Sequence, residues 1–567
     1  MKLAWLKEPQ LAFLKEGGYV GENQTPQERY QEVVERVRDY EVEYQEVGLA
    51  DRMAEWLDKN YIHLSTPVMT NFGRKVEKGK TPPLPASCNI VTVNDSIDEI
   101  WNSDREVANL SKLGAGVGAD FQNVVQKGTL LSEGFYSNSK LDYIERFVDT
   151  AQKVSQGKTR RGYCTPFIGL MDSDFDELMR RVDISNPDKN DVLVNNTVGI
   201  ILPKGFDEMV KTDKEVQRRY MIALSAKKKT GKVYLVHVDN MNKNSQEVYR
   251  KLGMVVETTN ICTEFVQPLF KDMTSVCVLS ALNLVHWDEI NKNHQIIKDL
   301  FIFLDIVNEE YVRLTANIPA LAKAHKGAKM KHDIGAGTLG FSEYLQMKGC
   351  AYGDVMSHAL NKQIYSTIRK VADETTRELA ERLEPAPLAK EAGIMVRNCS
   401  LMMIAPNKST SFLANATSLG IEPFMSNIYP KKLAKIQYIF KNKHLEAKLE
   451  EYGKNTKEVW QSIQDNNGSV QHLEFLSQQD KDVFKTFSEI SPKDIIDLAS
   501  ERQAYIDMAQ SLNLVFRKNY TMKDIYDIHK YAWEKGIKTL YYGYASAHAS
   551  LEKDGGAWDD GCISCAD

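Results

Sequence analysis

The stretch Thr259-Asn260-Ile261-Cys262-Thr263-Glu264-Phe265 sets an amide, a thiol and a carboxylate at alternating positions. In an extended backbone residues i, i+2 and i+4 share one face, so Asn260, Cys262 and Glu264 would converge on one small volume. A carboxylate there can act as a general base, and an amide can orient a hydroxyl by donating and accepting hydrogen bonds. Taken alone, the polar face of a solvated strand is the better reading of this alternation. The rest of the chain decides between the two.

Outward from this segment, over about 61–440, short β-rich runs alternate with helical stretches. Cys88–Val93, Val198–Leu202, Val233–Val238 and Val276–Leu279 read as strands, and Tyr143–Val154, Ile297–Leu314 and Ala359–Leu383 as helices. Such alternation predicts an α/β architecture. Residues 1–60 read as helical: Pro26 opens a segment with Val33, Val34, Val37 and Tyr40 at helical spacing, and Ala50–Leu57 continues it. The Lys-, Glu- and Gln-rich stretch at about 430–500 reads as a peripheral helical excursion. Two further helices, Ile496–Leu514 and Met522–Lys535, and a short strand, Thr539–Tyr542, lead to a small, polar, Gly-rich stretch at 545–567. That last stretch has nothing to bury and is expected to be a flexible tail.

A chain of 567 residues with 43% hydrophobic and 26% charged content can bury a large core. Its net charge of −5 argues against broad nucleic-acid binding. The longest apolar runs, Val198–Pro203 and Leu300–Val307, are too short to cross a bilayer. Lys2, Lys7, Glu8 and Lys15 interrupt any signal-peptide core at the start. A cytoplasmic protein with no membrane and no nucleic-acid partner is the expectation.

Cysteines stand at 88, 164, 262, 277, 350, 399, 562 and 565. In a long cytosolic chain these are not a disulfide framework, and most are expected to act as small buried hydrophobes. The run Gly561-Cys562-Ile563-Ser564-Cys565 is different, because two thiols at this spacing close a small disulfide ring and exchange with other dithiols. The other reading, half of a zinc site, lacks a second Cys-x-x-Cys. The chain from Gly543 to Gly561 can stretch roughly 60 Å and averages roughly 25 Å as a flexible coil, enough to enter an active site on its own or a neighbouring subunit.

These pieces occur together in one known family. Asn260-x-Cys262-x-Glu264 resembles the active-site finger loop of ribonucleotide reductase catalytic subunits. From about Ser65 the likeness continues in order. Ser65-Thr66-Pro67-Val68-Met69 before Ser87-Cys88 resembles the first barrel strands, and Leu113-Gly-Ala-Gly-Val-Gly118 the glycine loop. Ser155-Gln-Gly-Lys-Thr-Arg-Arg-Gly162 resembles the loop that reports the effector to the substrate. Cys277-Val-Leu-Ser-Ala-Leu-Asn-Leu284 resembles the strand of the second redox cysteine. Asn398–Ser411, with Pro406-Asn407-Lys408-Ser409-Thr410, resembles the substrate-phosphate segment, followed by Asn415–Pro423. Lys538-Thr-Leu-Tyr-Tyr542 matches the tyrosine pair of class I enzymes, and the tail spacing is similar to class Ib chains.

The resemblance implies a ten-stranded α/β barrel of two antiparallel five-stranded halves with the finger loop inside, at 61–544. Flanking it would be a helical region at 1–60 and the redox tail at 545–567. It implies that Cys262, as a thiyl radical, abstracts the ribose 3′-hydrogen, that Glu264 takes the 3′-hydroxyl proton, and that Asn260 holds the substrate hydroxyls. Cys88 would protonate the leaving 2′-hydroxyl and, with Cys277, supply two electrons by forming a disulfide, which requires Cα atoms within roughly 4.4–6.8 Å. Cys562 and Cys565 would reduce that pair and be reduced in turn by a thioredoxin- or glutaredoxin-like protein. Tyr541 and Tyr542 would pass the radical from a separate metal-containing small subunit, so this chain itself would hold no metal and no cofactor. Ribonucleoside diphosphates would be the substrates, dNTP or ATP the specificity effectors, and a homodimer the assembly.

Residues 406–410 also have a local reason to bind phosphate: backbone N–H groups, hydroxyls and one cation at the start of a helix through Leu413. Thr66 and Ser87 would add hydroxyls, and Gly116 would permit close backbone approach. An ordinary helix cap is the plainer reading of the same residues. Adjacent tyrosines on a strand would likewise face opposite sides, one to the core and one to the surface.

Some features depart from the family pattern. The N-terminal region is short and lacks the nucleotide-binding cone, so no dATP off-switch of that type is expected. Asp95 sits where the family binds its effector, with Arg160 and Arg161 in the reporting loop, but Gln122-Asn-Val-Val125 lacks the arginine expected after the glycine loop. Asn407-Lys408 replaces a small or acidic pair. The chain is also short for the family, a trimmed form such as a virus might carry. Two rivals remain: a class II enzyme dependent on adenosylcobalamin, against which Tyr541-Tyr542 argues, and an inactive nucleotide-binding regulator, which would have no need of Cys88, Cys262, Cys277 and Glu264. A glycyl-radical enzyme lacks its Arg-Val-x-Gly-Tyr segment here.

Overall fold

The computed structural model describes residues 1–75, 80–86, 88–132, 134–155, 162–194, 196–415, 418, 420–433 and 436–545. The expectations for Ser87, Arg160, Arg161, Cys562, Cys565 and the tail lie outside the described residues.

The middle of the chain opens with β1 (Ile62–Leu64), β2 (Cys88–Thr92), β3 (Gly116–Asp120), β4 (Tyr163–Gly169), β5 (Val198–Leu202) and β6 (Val233–His237). Strands β2 to β6 are parallel neighbours in chain order. Parallel strands need long crossovers, and burial of both faces makes their sequences almost continuously apolar. The helix Leu141–Val154 shows how: Leu141, Ile144, Phe147, Val148 and Ala151 form one buried stripe at helical spacing. The helix Lys214–Thr230 starts where Asp213 accepts the Glu215 and Val216 N–H groups, and stops at Gly231 in the left-handed region.

The hairpin β7 (Val256–Thr259) and β8 (Val266–Pro268) comes next, followed by β9 (Ser275–Asn283) and β10 (Ile334–Leu339). β9 pairs antiparallel with β1 and β2 and parallel with β10. Later come the hairpin β11 (Ile428–Leu433) and β12 (Ile436–Lys441), then β13 (Leu514–Phe516), β14 (Thr539–Leu540) and β15 (Gly543–Ala545). Among the described residues the main sheet has nine strands, β1-β9-β2-β3-β4-β5-β6-β14 with β10 on β9. The pairing runs on past both ends. Ala336 of β10 bridges to Met402, Ile404 to Gln510, and the Tyr541 N–H donates to the Leu512 carbonyl just beyond β14. The sheet therefore curls round on itself, and the β7–β8 hairpin lies inside the curl.

The N-terminal helices Glu8–Glu16, Pro26–Arg38, Glu41–Tyr44 and Leu49–Asp58 agree with the helical expectation. They are held to the long buried helix Gln295–Thr315 by charge: Arg36 pairs with Glu310 at 2.6 Å, Arg52 with Asp299 at 2.8 Å, and the Tyr44 hydroxyl donates to Asp305 at 2.7 Å. No helix of the described residues is long and apolar enough to cross a membrane.

Three sequence expectations are corrected. The helix expected at Ile496–Leu514 is Pro492–Gln503; beyond it, Ala509 donates to the Glu264 carbonyl and Ser511 to that of Ile404, pairings a helix could not make. The excursion at 430–500 opens with the β11–β12 hairpin, and its helices enclose a small core around Leu449, Trp460 and Ile463. The strand expected at Thr539–Tyr542 ends at Leu540, so the tyrosine pair lies beyond it.

Candidate active site

Asn260, Cys262 and Glu264 do come together, by a different route from the expected one. Residues 260–265 are the turn at the tip of the β7–β8 hairpin, with Thr263 at φ 68° in the left-handed region. For a β-branched residue that conformation is strained. It is held from several sides. Asn260 spans the turn, its amide donating to Glu264 Oε1 at 2.9 Å while its Oδ1 accepts the Phe265 N–H at 3.0 Å. The Thr263 carbonyl accepts the Thr539 hydroxyl at 2.8 Å, and the Ser511 hydroxyl reaches both the Cys262 carbonyl at 2.6 Å and Glu264 Oε2 at 2.9 Å. Gly118, on β3, faces the tip so closely that a Cβ there would sit 2.5 Å from the Thr259 carbonyl oxygen. The glycine lets the sheet and the finger meet.

Cys88 begins β2 and Cys277 lies on β9, directly opposite it in antiparallel register. Opposed residues of such a ladder have Cα atoms roughly 4.5–5.5 Å apart, inside the range a disulfide needs. The Cys88 thiol also faces Glu264, with Sγ 4.0 Å from Oε1. Burial pushes the Cys277 thiol well above its usual range, and Asp333, Cys88 and Glu264 push it the same way. At neutral pH it keeps its hydrogen. Lys331, fully buried, ties the two parts together by donating to Ser275 on β9 at 2.6 Å and Gln267 on β8 at 3.1 Å, while pairing with Asp333 at 3.0 Å.

On its other side Cys262 packs with Ile261, Tyr234 and Tyr541. The Tyr541 hydroxyl is a hydrogen-bonding neighbour of the Cys262 thiol, and burial, with that thiol close by, raises its pKa well above the usual phenol value. Contrary to the expectation for adjacent residues on a strand, both rings of the pair lie together: Tyr541 and Tyr542 have centroids 4.2 Å apart, and Tyr234 lies 4.6 Å from Tyr541. The chain has left β14 by this point, so the alternation of faces no longer applies.

Two residues here escaped the sequence reading. Tyr234 looked like one more apolar position of β6. Lys227 stands in the run Lys227-Lys228-Lys229, which reads as cations favouring a helix end. In the structure its buried ammonium donates to the carbonyls of Val233 at 2.9 Å, Leu540 at 3.4 Å and Tyr541, the peptides that carry Tyr234 and the tyrosine pair. Burial lowers its pKa to about 7.

A small pocket beside β9 and β10 is lined by Ser65, Ser280, Gly337, Pro406, Asn407 and Thr410, among others. Three of the residues expected to bind substrate therefore share a wall. Asn407 is anchored through its amide to the Thr338 carbonyl at 3.0 Å. Lys408 and Ser409 open the six-residue helix Lys408–Leu413, half-buried and not on the pocket wall. The Thr66 hydroxyl instead meets that of Tyr19 at 3.1 Å. Gly116 stands in register with Cys88 on β3. Asp95 is exposed, and its carboxylate accepts the Val125 N–H at 3.2 Å, within the segment expected to hold an arginine. Among the described residues no group of His, Cys, Asp and Glu could hold a metal ion.

Comparison with known proteins agrees with this geometry. The family model described as the ribonucleotide reductase barrel domain matches residues 86–220, 219–392 and 388–543. The ribonucleoside-diphosphate reductase large subunit of Invertebrate iridescent virus 3 is 27% identical, over 87% of this chain and 87% of its own. A putative large subunit of Frog virus 3 is 28% identical over the same shares. Among solved structures, the class Id ribonucleotide reductase alpha subunit of Actinobacillus ureae superposes with a TM-score of 0.86 at 32% identity, over 97% of this chain and 99% of its own.

Proposed function

This chain belongs to the ribonucleotide reductase family as a ribonucleoside-diphosphate reductase large subunit, and from that premise we propose how its residues divide the reaction. Cys262, made a thiyl radical through Tyr541 and Tyr542, removes the ribose 3′-hydrogen, and Glu264 takes the 3′-hydroxyl proton. Asn260 holds the sugar hydroxyls. The 2′-hydroxyl leaves as water with a proton from Cys88, and Cys88 and Cys277 supply two electrons by closing a disulfide. Cys262 then returns its hydrogen to C3′. Cys562 and Cys565 reopen the disulfide and are reduced by an external dithiol protein. A thiyl radical is quenched by stray hydrogen donors, which is why the thiols lie in a buried centre inside a curled sheet.

The observation that carries this reading is the register of Cys88 opposite Cys277, with the Cys88 thiol facing Glu264 on the same finger turn as Cys262. The closed run of pairings supports a ten-stranded barrel of two antiparallel halves. The pocket at Pro406, Asn407 and Thr410 takes the substrate diphosphate, helped by Thr66, Ser87, Gly116, Lys408 and Ser409. Asp95, Arg160 and Arg161 serve a dNTP or ATP effector. The radical comes from a metal-containing small subunit, and the active assembly is a homodimer in a cytoplasm, with a viral genome as a fitting source.

Replacing Cys262 with Ser in the full chain, assayed with its small subunit and a dithiol, is expected to cut deoxynucleotide formation by on the order of 10³-fold or more. Turnover close to that of the unaltered protein would end the reading. Activity that required adenosylcobalamin and survived Tyr541→Phe would replace it with the class II mechanism.

A further inference from the structure

The tyrosine run does not end at the pair. Tyr544, on β15, stacks on Tyr542 with ring centroids 5.6 Å apart and planes 18° from parallel. The local backbone dictates this. β15 pairs in parallel with β13, Leu514 against Gly543 and Val515 against Tyr544. Tyr542 stands immediately before β15, one residue from Tyr544, and its ring meets that of Tyr544 across Gly543. The residue between them must be small, since a Cβ on Gly543 would meet Phe516 Cε2 at 2.5 Å. Tyr541, Tyr542 and Tyr544 are thus linked by successive ring contacts leading away from Cys262.

A second observation concerns the middle ring of the run. Asn513 accepts the Tyr542 N–H through its Oδ1 at 3.1 Å, so the backbone that presents Tyr542 to both neighbours is braced.

We infer that Tyr544 is a third relay on the radical path. The inference rests on the proposed roles of Cys262, Tyr541 and Tyr542. When a radical of the partner subunit that accepts a hydrogen atom comes within reach, Tyr544 gives it the phenolic hydrogen, electron and proton together, and becomes a neutral phenoxyl radical. It then takes a hydrogen atom from the Tyr542 hydroxyl and is restored. Tyr542 takes one from Tyr541, and Tyr541 takes one from the Cys262 thiol. Each step moves one electron and one proton, and the return runs the steps backwards.

The test uses the full chain with its radical-bearing small subunit, substrate and a dithiol. Tyr544→Phe is expected to lower turnover at least tenfold with KM unchanged. 3-Aminotyrosine at position 544 is expected to trap a substrate-dependent radical visible by electron paramagnetic resonance. Tyr541→Phe is the reference: turnover lost there but fully retained in Tyr544→Phe, with no radical centred at 544, overturns the inference alone. Turnover retained in both variants overturns the underlying reading instead.

Discussion

At the junction of the N-terminal helices and the long helix Gln295–Thr315, the buried Asp305 accepts bonds from Tyr44 at 2.7 Å, Arg397 at 3.0 Å and Asn398 at 2.7 Å. At the finger tip, thiols, phenols and one carboxylate are buried as deeply, and Glu264 faces the neutral donors Asn260, Ser511 and Cys88. Burial alone would raise the Asp305 pKa, but Arg397, His332 and Tyr44 outweigh it and hold the carboxyl well below its usual range. Around Cys262 burial prevails, and Cys277 and Tyr541 are driven upward and stay protonated. One cluster uses charge to lock two parts of the molecule together. The other buries its S–H and O–H groups so that they remain available as hydrogen donors.

Breaking the first cluster should produce the largest change in stability. Asp305→Ala strands the buried Arg397 and is expected to cost about 3–5 kcal/mol, read as a fall in the thermal midpoint. The sign with pH follows from the depressed carboxyl. Its contribution is present above the unfolded value of 3.8 and lost as pH falls below it, so the wild type should converge on the variant in acid. A constant gap down to pH 2 would show that the ion pair is not what holds the junction.

Gly118→Ala probes the second cluster at its tightest point. A methyl 2.5 Å from the Thr259 carbonyl must displace the finger, at about 1–3 kcal/mol for an overpacked site. The expectation is a ten- to hundredfold loss of turnover with a smaller fall in the thermal midpoint than Asp305→Ala gives. A variant that unfolds earlier but turns over normally would contradict that contrast.

The smallest effect is expected at Lys227, where the two behaviours meet: a buried cation whose partners among the described residues are carbonyls. Lys227→Met removes a costly charge but frees the peptides that carry the tyrosines. About tenfold slower turnover, roughly 1.4 kcal/mol in the barrier, is expected with a thermal midpoint within a few degrees of the wild type. Rescue by Lys227→Arg would mark a positioning role, and unaltered turnover in Lys227→Met would deny it.

The two regions were not equally legible in the sequence. The helices Leu141–Val154 and Gln295–Thr315 stand within a few residues of their expected ends, because one-sided or all-round burial writes itself as apolar periodicity. Cys88, Cys277 and the finger residues could be singled out by type and order, but their geometry could not. Asn260-x-Cys262-x-Glu264 has the alternation of a strand and is a turn, since Thr263 is forced into the left-handed region by partners far along the chain at Ser511 and Thr539. Residues 504–513 carry helical periodicity, yet tertiary pairing with Ile404 and Glu264 pulls them straight. Lys227 and Tyr234 left no mark, because a lysine-rich helix end and an apolar strand each have an ordinary explanation.

The central claim is that three distant thiols share one reaction, and a single turnover without external dithiol tests it most directly. Full-length protein, its small subunit and substrate would be quenched and analysed by mass spectrometry for the disulfide state of every cysteine, with the tail thiols changed to Ser. One Cys88–Cys277 disulfide for each deoxynucleotide formed, and neither in Cys262→Ser, is the predicted result. Product without that disulfide, or the disulfide formed equally in Cys262→Ser, would contradict the account.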